Sequence, residues 1–463
     1  MDSSTIAAIA TPSGSGGIGI IRISGPQAVA VAAAVFQPSK SGSRDADLLE
    51  SHRFYHGYIV DPKIRTPIDE VYLVVMKAPR SYTREDVAEI HTHGGPVVLK
   101  TVLELILNAG ARLATAGEFT LRAFLNGRVD LSQAEGVADL INAKTEKALR
   151  IAASQVKGAL RKEIESLRRL VLDSYTAYEA AIDFPEEMEE FFIEKEIRGL
   201  LEQRLIPDIE DLLQRYRTGH VFKDGIRVAI AGRPNVGKSS MMNSLLDKDR
   251  AIVSPVPGTT RDFIEEQLLI EGISVFLMDT AGLWNATDPV ERLGIQKTMD
   301  SIENADLILF MVESCGFPDS GDLAVYDQIR NKPKILVLNK SDMISEEKEI
   351  PLPEAWQEIP RVKTSVLNGR GIEEVKQAIL SLALNGNGID PIHTSIPNIR
   401  HKIALERTRS AILEFDEGIR TGRSPELLAM DLKEAADALG EILGVTAPPD
   451  ILDEIFSRFC IGK

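Results

Sequence analysis

The spacing of hydrophobic positions changes several times along the chain. In residues 1 to about 126, short β-branched runs such as 19–23 and 71–75 alternate with glycine-rich turns, which predicts an α+β domain. From about 131 to 217, apolar residues recur every three or four positions with few glycines, as at Ala148, Ala152 and Val156. This spacing predicts long packed helices, and it returns from 399 to 459.

Strands and helices alternate between residue 225 and about 384. Apolar runs at 227–231, 275–279, 307–312 and 335–339 predict the strands of a mostly parallel sheet. Because helical segments flank this α/β domain, the simplest architecture inserts it into one helical domain whose two parts pack together. The predicted segments are 1–126 (α+β), 127–219 (helical), 220–384 (α/β) and 385–463 (helical), which together make a multidomain α/β protein.

Composition and charge restrict the classes of function that this protein can have. A chain of 463 residues fits two to four domains, and its net charge of −16 excludes coating of nucleic acid by bulk electrostatics, so any RNA contact needs local basic patches. Cys315 and Cys460 lie too far apart in sequence to suggest a disulfide framework, which favours a reducing compartment. The longest apolar run, 28–36, is about half of a bilayer span, and no secretory signal precedes it. We expect a cytoplasmic protein that does not associate with membranes.

The first predicted strand of the α/β domain runs into a phosphate-loop pattern. Residues 232–239 read Gly-Arg-Pro-Asn-Val-Gly-Lys-Ser. The glycines let backbone N–H groups converge on phosphates, and the dipole of the following helix adds positive potential. Lys238 is placed to contact the β- and γ-phosphates, and the Ser239 hydroxyl to ligate Mg²⁺.

Three further motifs indicate that the nucleotide is guanine. Asp342, in an Asn-Lys-Ser-Asp run, can accept two hydrogen bonds from guanine that adenine cannot donate. Asp279 begins an Asp-Thr-Ala-Gly run that closes a strand near Mg²⁺ and the γ-phosphate, and the pair Thr259-Thr260 supplies a switch threonine. These motifs predict a Ras-like P-loop GTPase domain with Mg²⁺ on Ser239 and Thr260. The predicted GTP contacts are Asn235, Val236, Gly237, Lys238, Ser239, Ser240, Ser254, Thr259, Thr260, Asp279, Thr280, Ala281, Gly282, Asn339, Lys340, Asp342 and Ser365.

The group that orients the attacking water differs from that of many such GTPases. Where a glutamine often follows Asp-Thr-Ala-Gly, this chain has Leu283-Trp284, and apolar side chains cannot orient water. Glu291 is the nearest suitable carboxylate and Asp288 the second, although Glu291 could instead be a solvated charge at a helix start. The predicted catalytic residues are Glu291 and Lys238.

Long, specific strings lie outside the GTPase motifs: residues 10–12, 16–25, 91–95, 117–127, 131–135 and the C-terminal Cys-Ile-Gly-Lys at 460–463. Together with the GTPase motifs, they resemble one family, the tRNA wobble-uridine modification GTPases MnmE (TrmE). The resemblance covers essentially the whole chain. It implies action with an FAD-dependent partner, MnmG, in a heterotetramer or larger complex that adds an aminomethyl-type group to C5 of uridine 34 in tRNA. The amine, which could be glycine, ammonium or taurine, stays open.

The resemblance also implies a homodimer formed by the N-terminal domains and a tetrahydrofolate derivative, in its 5,10-methylene or 5-formyl form, as one-carbon donor. Its contacts would be Arg22, Glu85 and Arg128, with Lys463 reaching in from the C-terminus. Cationic groups suit the folate carboxylates, and a carboxylate suits the pterin donors. Cys460 resembles the family's near-terminal cysteine and is either a nucleophile or a buried apolar residue in a helix.

Two further consequences follow from the resemblance. A potassium ion beside the phosphates would act where other GTPases use an arginine finger, and its ligands would be Asn235, Ser254, Val256 and Thr259. It would promote face-to-face pairing of two GTPase domains.

Arg84 stands where the family usually has glycine, so the loop that carries Glu85 must adjust if that position needs a positive φ.

Two other functions remain as alternatives at this stage. A ribosome-assembly GTPase would share the nucleotide motifs, and a folate-dependent aminomethyltransferase with a regulatory GTPase domain would turn over a small amine without RNA. Basic helical stretches could supply the tRNA contacts that separate these readings, or could be solvated helix faces. They comprise residues 161–162, 168–169 and 400–402, with Arg407 and Arg409.

Overall fold

The computed structural model describes residues 4–39, 46, 49–184, 190–246, 265–279, 301–344, 351–384 and 395–463. The chain divides into two compact units. The first comprises Met1–Ile141, Gln155–Ile206 and Ile403–Lys463, and the second comprises Asn142–Ser154 and Pro207–Lys402.

A seven-stranded sheet forms the N-terminal part of the first unit. Its order is β3-β4-β5-β6-β2-β1-β7, and all neighbours are antiparallel except β1 and β7. Alternate residues such as Ile21, Leu73 and Ile90 share a buried core with helices α1 and α2, which confirms the α+β prediction. The elements are β1 Ile6–Ile9, β2 Gly16–Ser24, α1 Ala28–Val35, β3 Phe36–Pro38, β4 Arg53–Val60, β5 Pro67–Met76, β6 Val87–Gly94, α2 Pro96–Asn108 and β7 Arg112–Leu113.

Helices from both ends of the sequence pack together in the same unit. The ring of Tyr178 meets that of Phe415 edge to face with centroids 5.5 Å apart, and Arg198 pairs with Asp416 at 2.6 Å. Helix α6 also packs along α13. The predicted association of the two helical segments is therefore confirmed. The helices of this unit are α3 Glu118–Leu125, α4 Leu131–Asn142, α6 Ala159–Asp183, α7 Glu190–Leu200, α12 Ile399–Thr421, α13 Pro425–Leu443 and α14 Pro449–Ser457, with a π-helical turn at Leu201–Leu205. Helix α5, Glu146–Val156, lies mostly in the second unit.

The regular helical spacing from residue 148 to 167 conceals a break. Gly158, at φ 82°, separates α5 from α6. Ile151 of α5 is buried in the core of the second unit, whereas Leu160 and Ile164 of α6 belong to the first. Apolar residues continue at helical spacing across the glycine, so the pattern predicted continuous helical packing. It did not show that α5 and α6 pack into the cores of different units.

A six-stranded sheet forms the second unit. Its order is β13-β12-β11-β8-β10-β9, parallel throughout except for the β9–β10 hairpin. The strand Leu307–Glu313 is a nearly continuous apolar run because a separate core covers each face of the sheet. The four predicted strands are confirmed. The elements are α8 Ile206–Asp224, β8 Ile226–Gly232, α9 Lys238–Leu246, β9 Glu265–Ile270, β10 Ile273–Asp279, β11 Leu307–Glu313, α10 Ser320–Gln328, β12 Lys334–Asn339, β13 Arg361–Lys363 and α11 Ile372–Ala383. In the described part of the chain, we find no helix with the length and hydropathy of a membrane span.

Candidate functional site

The phosphate-loop sequence forms a tight turn between β8 and α9. Asn235 has φ 66° and Gly237 has φ 101°, in the left-handed region where asparagine and glycine are the best tolerated residues. A Cβ atom on Gly237 would lie 2.4 Å from Asn339 Nδ2, so this position also requires glycine for space. Val236 is buried under the turn while Asn235 is exposed above it.

Lys238 lies at the start of α9 with its ammonium over the loop. Its Nζ donates to the carbonyls of Gly232 and Arg233, both at 2.8 Å. Ser239 and Ser240 occupy the next positions in the first turn, where free N–H groups and the helix dipole favour an anion. The predicted phosphate contacts are therefore assembled on one loop and one helix start.

Asn339, at the end of β12, joins the phosphate loop to the candidate guanine contacts. Its buried amide donates from Nδ2 to the Val236 carbonyl at 2.8 Å. Its Oδ1 accepts from the Thr364 hydroxyl and from the Val366 N–H, both at 3.2 Å. Asn339 thus fixes the distance between the two ends of the nucleotide site.

The residues that follow Asn339 present Asp342, the candidate carboxylate for guanine. Ser365 donates its hydroxyl to Asp342 Oδ1 at 2.5 Å, which orients the carboxylate. Lys340 has φ 62° and forms an ion pair with Glu313 at the end of β11. The structure therefore brings Asn339, Lys340, Asp342 and Ser365 together, as the sequence predicted.

Part of the predicted nucleotide site cannot be placed. Strand β10 ends at Asp279, which pairs with Ile230 of β8 and so reaches the same edge of the sheet as the phosphate loop. The other predicted switch and catalytic residues lie outside the described residues and stay predictions: Ser254, Val256, Thr259, Thr260, Thr280, Ala281, Gly282, Asp288 and Glu291.

A second polar group surrounds Arg22 on β2, where two of the predicted folate residues lie close to the same aromatic ring. Arg22 Nε donates to Glu89 Oε1 at 2.7 Å, and its Nη1 donates to the carbonyl of Gly462 at 3.2 Å. The Tyr82 ring has the Arg22 guanidinium 5.5 Å and the Arg128 guanidinium 4.5 Å from its centroid. Arg22 and Arg128 therefore flank one aromatic ring, next to the C-terminal Gly462-Lys463.

The C-terminal segment is held against the N-terminal sheet by close backbone contacts. Ile461 forms an antiparallel bridge with Ala116. A Cβ atom on Gly462, at φ 95°, would lie 2.3 Å from the Ile9 carbonyl oxygen, and one on Gly117, at φ 68°, would lie 2.4 Å from the Phe456 carbonyl oxygen. Both glycines are required because the two backbones approach too closely for a side chain.

Glu85 lies at the edge of this group. It accepts from the Ser24 hydroxyl at 2.7 Å and pairs with Arg122 at 3.1 Å. Arg84, which precedes it, adopts φ 60°, so the arginine occupies the left-handed conformation that a glycine would adopt without strain. The loop therefore keeps a positive φ at this position, and Arg84 adopts it.

Two carboxylates near the site stay ionised against the effect of burial. Burial favours the neutral acid, but the His91 imidazole and the Arg22 guanidinium lower the pKa of Glu89 to about 2. Burial likewise opposes the charge on Glu118, and hydrogen bonds from Arg112, the Thr115 N–H and Arg122 lower its pKa to about 2. Glu89 is therefore a fixed negative charge beside Arg22.

One alternative for Cys460 is wrong, and several of the basic residues are in ion pairs. Cys460 is exposed and lies beyond the end of α14, so it is not a buried residue within a helix. Arg407 is already paired with Glu434 and Glu441, and Arg161 with Glu165, which weakens these arginines as docking points for RNA. His401 is fully buried.

The sequence did not reveal several residues of these sites. Tyr82 was missed, although it stands three positions before Glu85 in the same loop. The carboxylates Asp319 and Asp322 were also missed, although their spacing of three matches a helix capping box. Their partner, Arg233, stands at a position that the phosphate-loop pattern leaves variable, so the pattern gives it no role.

The second unit is that of a P-loop GTPase: a mostly parallel sheet with a phosphate loop after its first strand and an Asn-Lys-Ser-Asp turn after a neighbouring parallel strand. The family described as "GTP-binding protein TrmE N-terminus" matches residues 5–128, and "MnmE helical domain" matches residues 131–460. The chain belongs to the MnmE family of tRNA modification GTPases.

Full-length relatives agree with this assignment. The tRNA modification GTPase MnmE of Geotalea uraniireducens (strain Rf4) is 44% identical over 460 residues, covering 99% of both chains. That of Syntrophus aciditrophicus (strain SB) is 44% identical over 459 residues, also covering 99% of both. Among solved structures, a single-residue variant of Aquifex aeolicus Era bound to GDP·AlF4⁻ is 28% identical, and the match covers 41% of this chain and 67% of that chain with a TM-score of 0.28.

Proposed function

We propose that this GTP hydrolase acts in tRNA modification. With an FAD-dependent partner, MnmG, it adds an aminomethyl-type group to C5 of wobble uridine 34, and it takes the one-carbon unit from a tetrahydrofolate derivative. Family membership and the assembled nucleotide-binding residues support this proposal. The proposed setting is the cytoplasm.

One contact carries the proposal most directly: Arg22 donates to the Gly462 carbonyl across 440 residues of sequence. It brings together the N-terminal and C-terminal strings that distinguish this chain from a GTPase with nucleotide motifs alone. A ribosome-assembly switch gives no reason for that meeting. An aminomethyltransferase that does not act on RNA accounts for this contact less well, because the chain belongs to a family of tRNA modification GTPases.

The residues around Arg22 fit a folate by their chemistry. Two guanidinium groups, those of Arg22 and Arg128, suit the ligand's carboxylates, and both lie close to the ring of Tyr82. Glu85 supplies an acceptor for the amino groups of a pterin, and Lys463 adds a cation. Tetrahydrofolate would supply the one-carbon unit there, in the 5,10-methylene or 5-formyl form.

At the nucleotide site, the proposed roles follow the chain's own side chains. Lys238 neutralises the β- and γ-phosphates, and Ser239 and Thr260 hold Mg²⁺. Asn235, whose side chain is exposed above the loop, offers a neutral oxygen to K⁺, together with Ser254, Val256 and Thr259. Glu291 orients the attacking water when two GTPase domains of a homodimer meet.

Complementation of a deletion strain tests the tRNA role. Glu291→Ala should keep GTP binding, slow hydrolysis by about 10² or more and abolish modification of the wobble uridine, as read by mass spectrometry of tRNA nucleosides. Glu303→Ala, which removes an exposed carboxylate, serves as the matched control and should behave as the wild type. Normal modification by a Glu291→Ala protein that hydrolyses no GTP would overturn the proposed link between the two activities.

Folate titration of the purified protein separates the alternatives. Arg22→Gln should weaken binding of 5-formyltetrahydrofolate while GTP turnover stays unchanged, because Arg22 and the nucleotide loop belong to different units of the chain. Wild-type protein that binds no folate would favour a GTPase switch without folate chemistry.

A further inference from the structure

The phosphate loop is attached to α10 by a residue that the nucleotide motif leaves unspecified. Arg233 is the first of the four variable positions in the loop, yet its side chain spans two carboxylates. Its Nε donates to Asp322 Oδ1 at 3.0 Å, and its Nη1 donates to Asp319. A Cβ atom on Gly321 would lie 2.6 Å from Arg233 Cδ, so the aliphatic part of the arginine crosses closely over the first turn of α10.

The two carboxylates are themselves fixed by the helix. Asp319 is the N-cap residue of α10, and it accepts from the N–H groups of Gly321 and Asp322 at 2.8 and 3.1 Å. Asp322 accepts in return from the Asp319 N–H at 3.2 Å, which completes a capping box. The arginine therefore binds a rigid acceptor pair rather than two mobile surface groups.

The ion pair is half-enclosed. The side chain of Asp322 is 4% exposed and that of Arg233 30% exposed. Burial raises the pKa of Asp322, while the Asp319 N–H and the Arg233 guanidinium act in the opposite direction. An arginine that compensates a nearly buried carboxylate holds its geometry better than an exposed ion pair does.

The main chain of the same arginine contacts the catalytic lysine. Lys238 Nζ donates to the Arg233 carbonyl at 2.8 Å. The side chain of Arg233 is thus fixed to α10 while its carbonyl binds the ammonium that is assigned to the β- and γ-phosphates. Any rotation of the loop at Arg233 would move both contacts together.

We propose that Arg233 is a positioning residue for GTP, which acts through Asp319 and Asp322 to hold the phosphate loop and Lys238 in the conformation that binds nucleotide. This inference rests on the proposed nucleotide site. Since the β-phosphate that the loop and Lys238 bind is present in both GTP and GDP, the ordering of the loop contributes to the binding of both nucleotides. Loss of the attachment should weaken binding of both nucleotides and leave kcat at saturation nearly unchanged.

The size of the change in nucleotide affinity follows from the fraction of molecules in which the phosphate loop has the conformation that binds nucleotide. If Arg233→Gln lowers that population to about a tenth, the apparent Kd for GTP and GDP rises about tenfold. Asp322→Asn should give a smaller rise in the same direction, and Arg233→Lys, which can pair with one carboxylate, should recover part of the loss. In the double variant Arg233→Gln/Asp322→Asn, the second change should add little, because the two residues act through one contact.

The experiment measures Kd for fluorescent GTP and GDP analogues and KM and kcat for GTP on the full chain. Arg330→Gln, which removes an exposed arginine of the same unit, is the matched control and should leave all four values unchanged. A rise in Kd and KM at constant kcat supports the proposal. Kd values within twofold of wild type in both Arg233→Gln and Asp322→Asn overturn it, as does a fall in kcat without a change in Kd.

Two further readouts keep the outcomes separate. Far-UV circular dichroism shows whether Arg233→Gln folds, and if it does not, Asp322→Asn and Arg233→Lys carry the same test. A purely structural role would lower the melting temperature and leave the Kd of the folded protein unchanged, which would also overturn the proposal. Wild-type protein that bound no GTP in this assay would instead refute the nucleotide site itself.

Discussion

Substituting Gly117 with alanine should weaken the docking of the C-terminal helix α14 against the start of α3. Gly117 has φ 68°, and a Cβ atom there would lie 2.4 Å from the carbonyl oxygen of Phe456 in α14. Gly422 has the same φ of 68°, but a Cβ atom there would meet nothing within 4 Å. The two positions therefore share the backbone strain and differ in the close approach.

The expected magnitudes follow from that difference. Alanine in the left-handed region costs about 1–2 kcal/mol at either position. At Gly117, the Phe456 carbonyl must in addition retreat from 2.4 Å to at least 3.0 Å. Overpacking of this kind typically costs about 1–3 kcal/mol more. We expect this extra cost to fall on the docking of α14, because the obstacle is the α14 backbone.

Native-state hydrogen exchange measures the effect where it should occur. In Gly117→Ala, the free energy of opening of the α14 amides should fall by about 1–3 kcal/mol more than in Gly422→Ala. Folate affinity should decrease in Gly117→Ala alone, because α14 carries Gly462 and Lys463 towards Arg22. Equal exchange of the α14 amides in both variants would show that the close contact does not hold the helix, and the reasoning would fail.

Three other predictions concern selectivity, ions and pH. Asp342→Asn should shift binding from guanine towards xanthine nucleotides, whose 2-oxo group accepts where guanine donates, and unchanged selectivity in a competition assay would refute the role of this carboxylate. Asn235→Ala should remove the acceleration of hydrolysis by K⁺ over Na⁺, and a full K⁺ response in that variant would exclude this ligand. Glu118 has a pKa of about 2 in the folded protein against an ordinary 4.5, so its stabilising contribution is complete above pH 4.5 and is lost as the pH falls towards 2. Acid unfolding of Glu118→Gln should therefore depend less on pH in that window, and identical profiles would contradict the assignment.

The sequence by itself determined the features whose causes are local. The four predicted strands of the second unit are short apolar runs because both faces of a parallel sheet are buried, and that composition is visible without a structure. The edge strands β9 and β13 are more polar and escaped the prediction. The phosphate loop is equally local, since Gly232, Gly237, Lys238 and Ser239 lie within eight residues and the chemistry of phosphate binding requires them at that spacing. The strings that matched the MnmE family carried the rest of the functional prediction.

Tertiary structure alone decided which distant groups meet. The family resemblance implied that the C-terminus reaches the site of Arg22, but only the structure shows that the Arg22 guanidinium donates to the carbonyl of Gly462, because that contact depends on where α14 ends. The partners of Arg233 lie on another helix for the same reason. The break at Gly158 also escaped the sequence, because helical periodicity reports that a face is buried and not which core buries it. A local pattern of apolar residues shows that one face of a helix or strand is buried. Which other element packs against that face depends on the path of the whole chain.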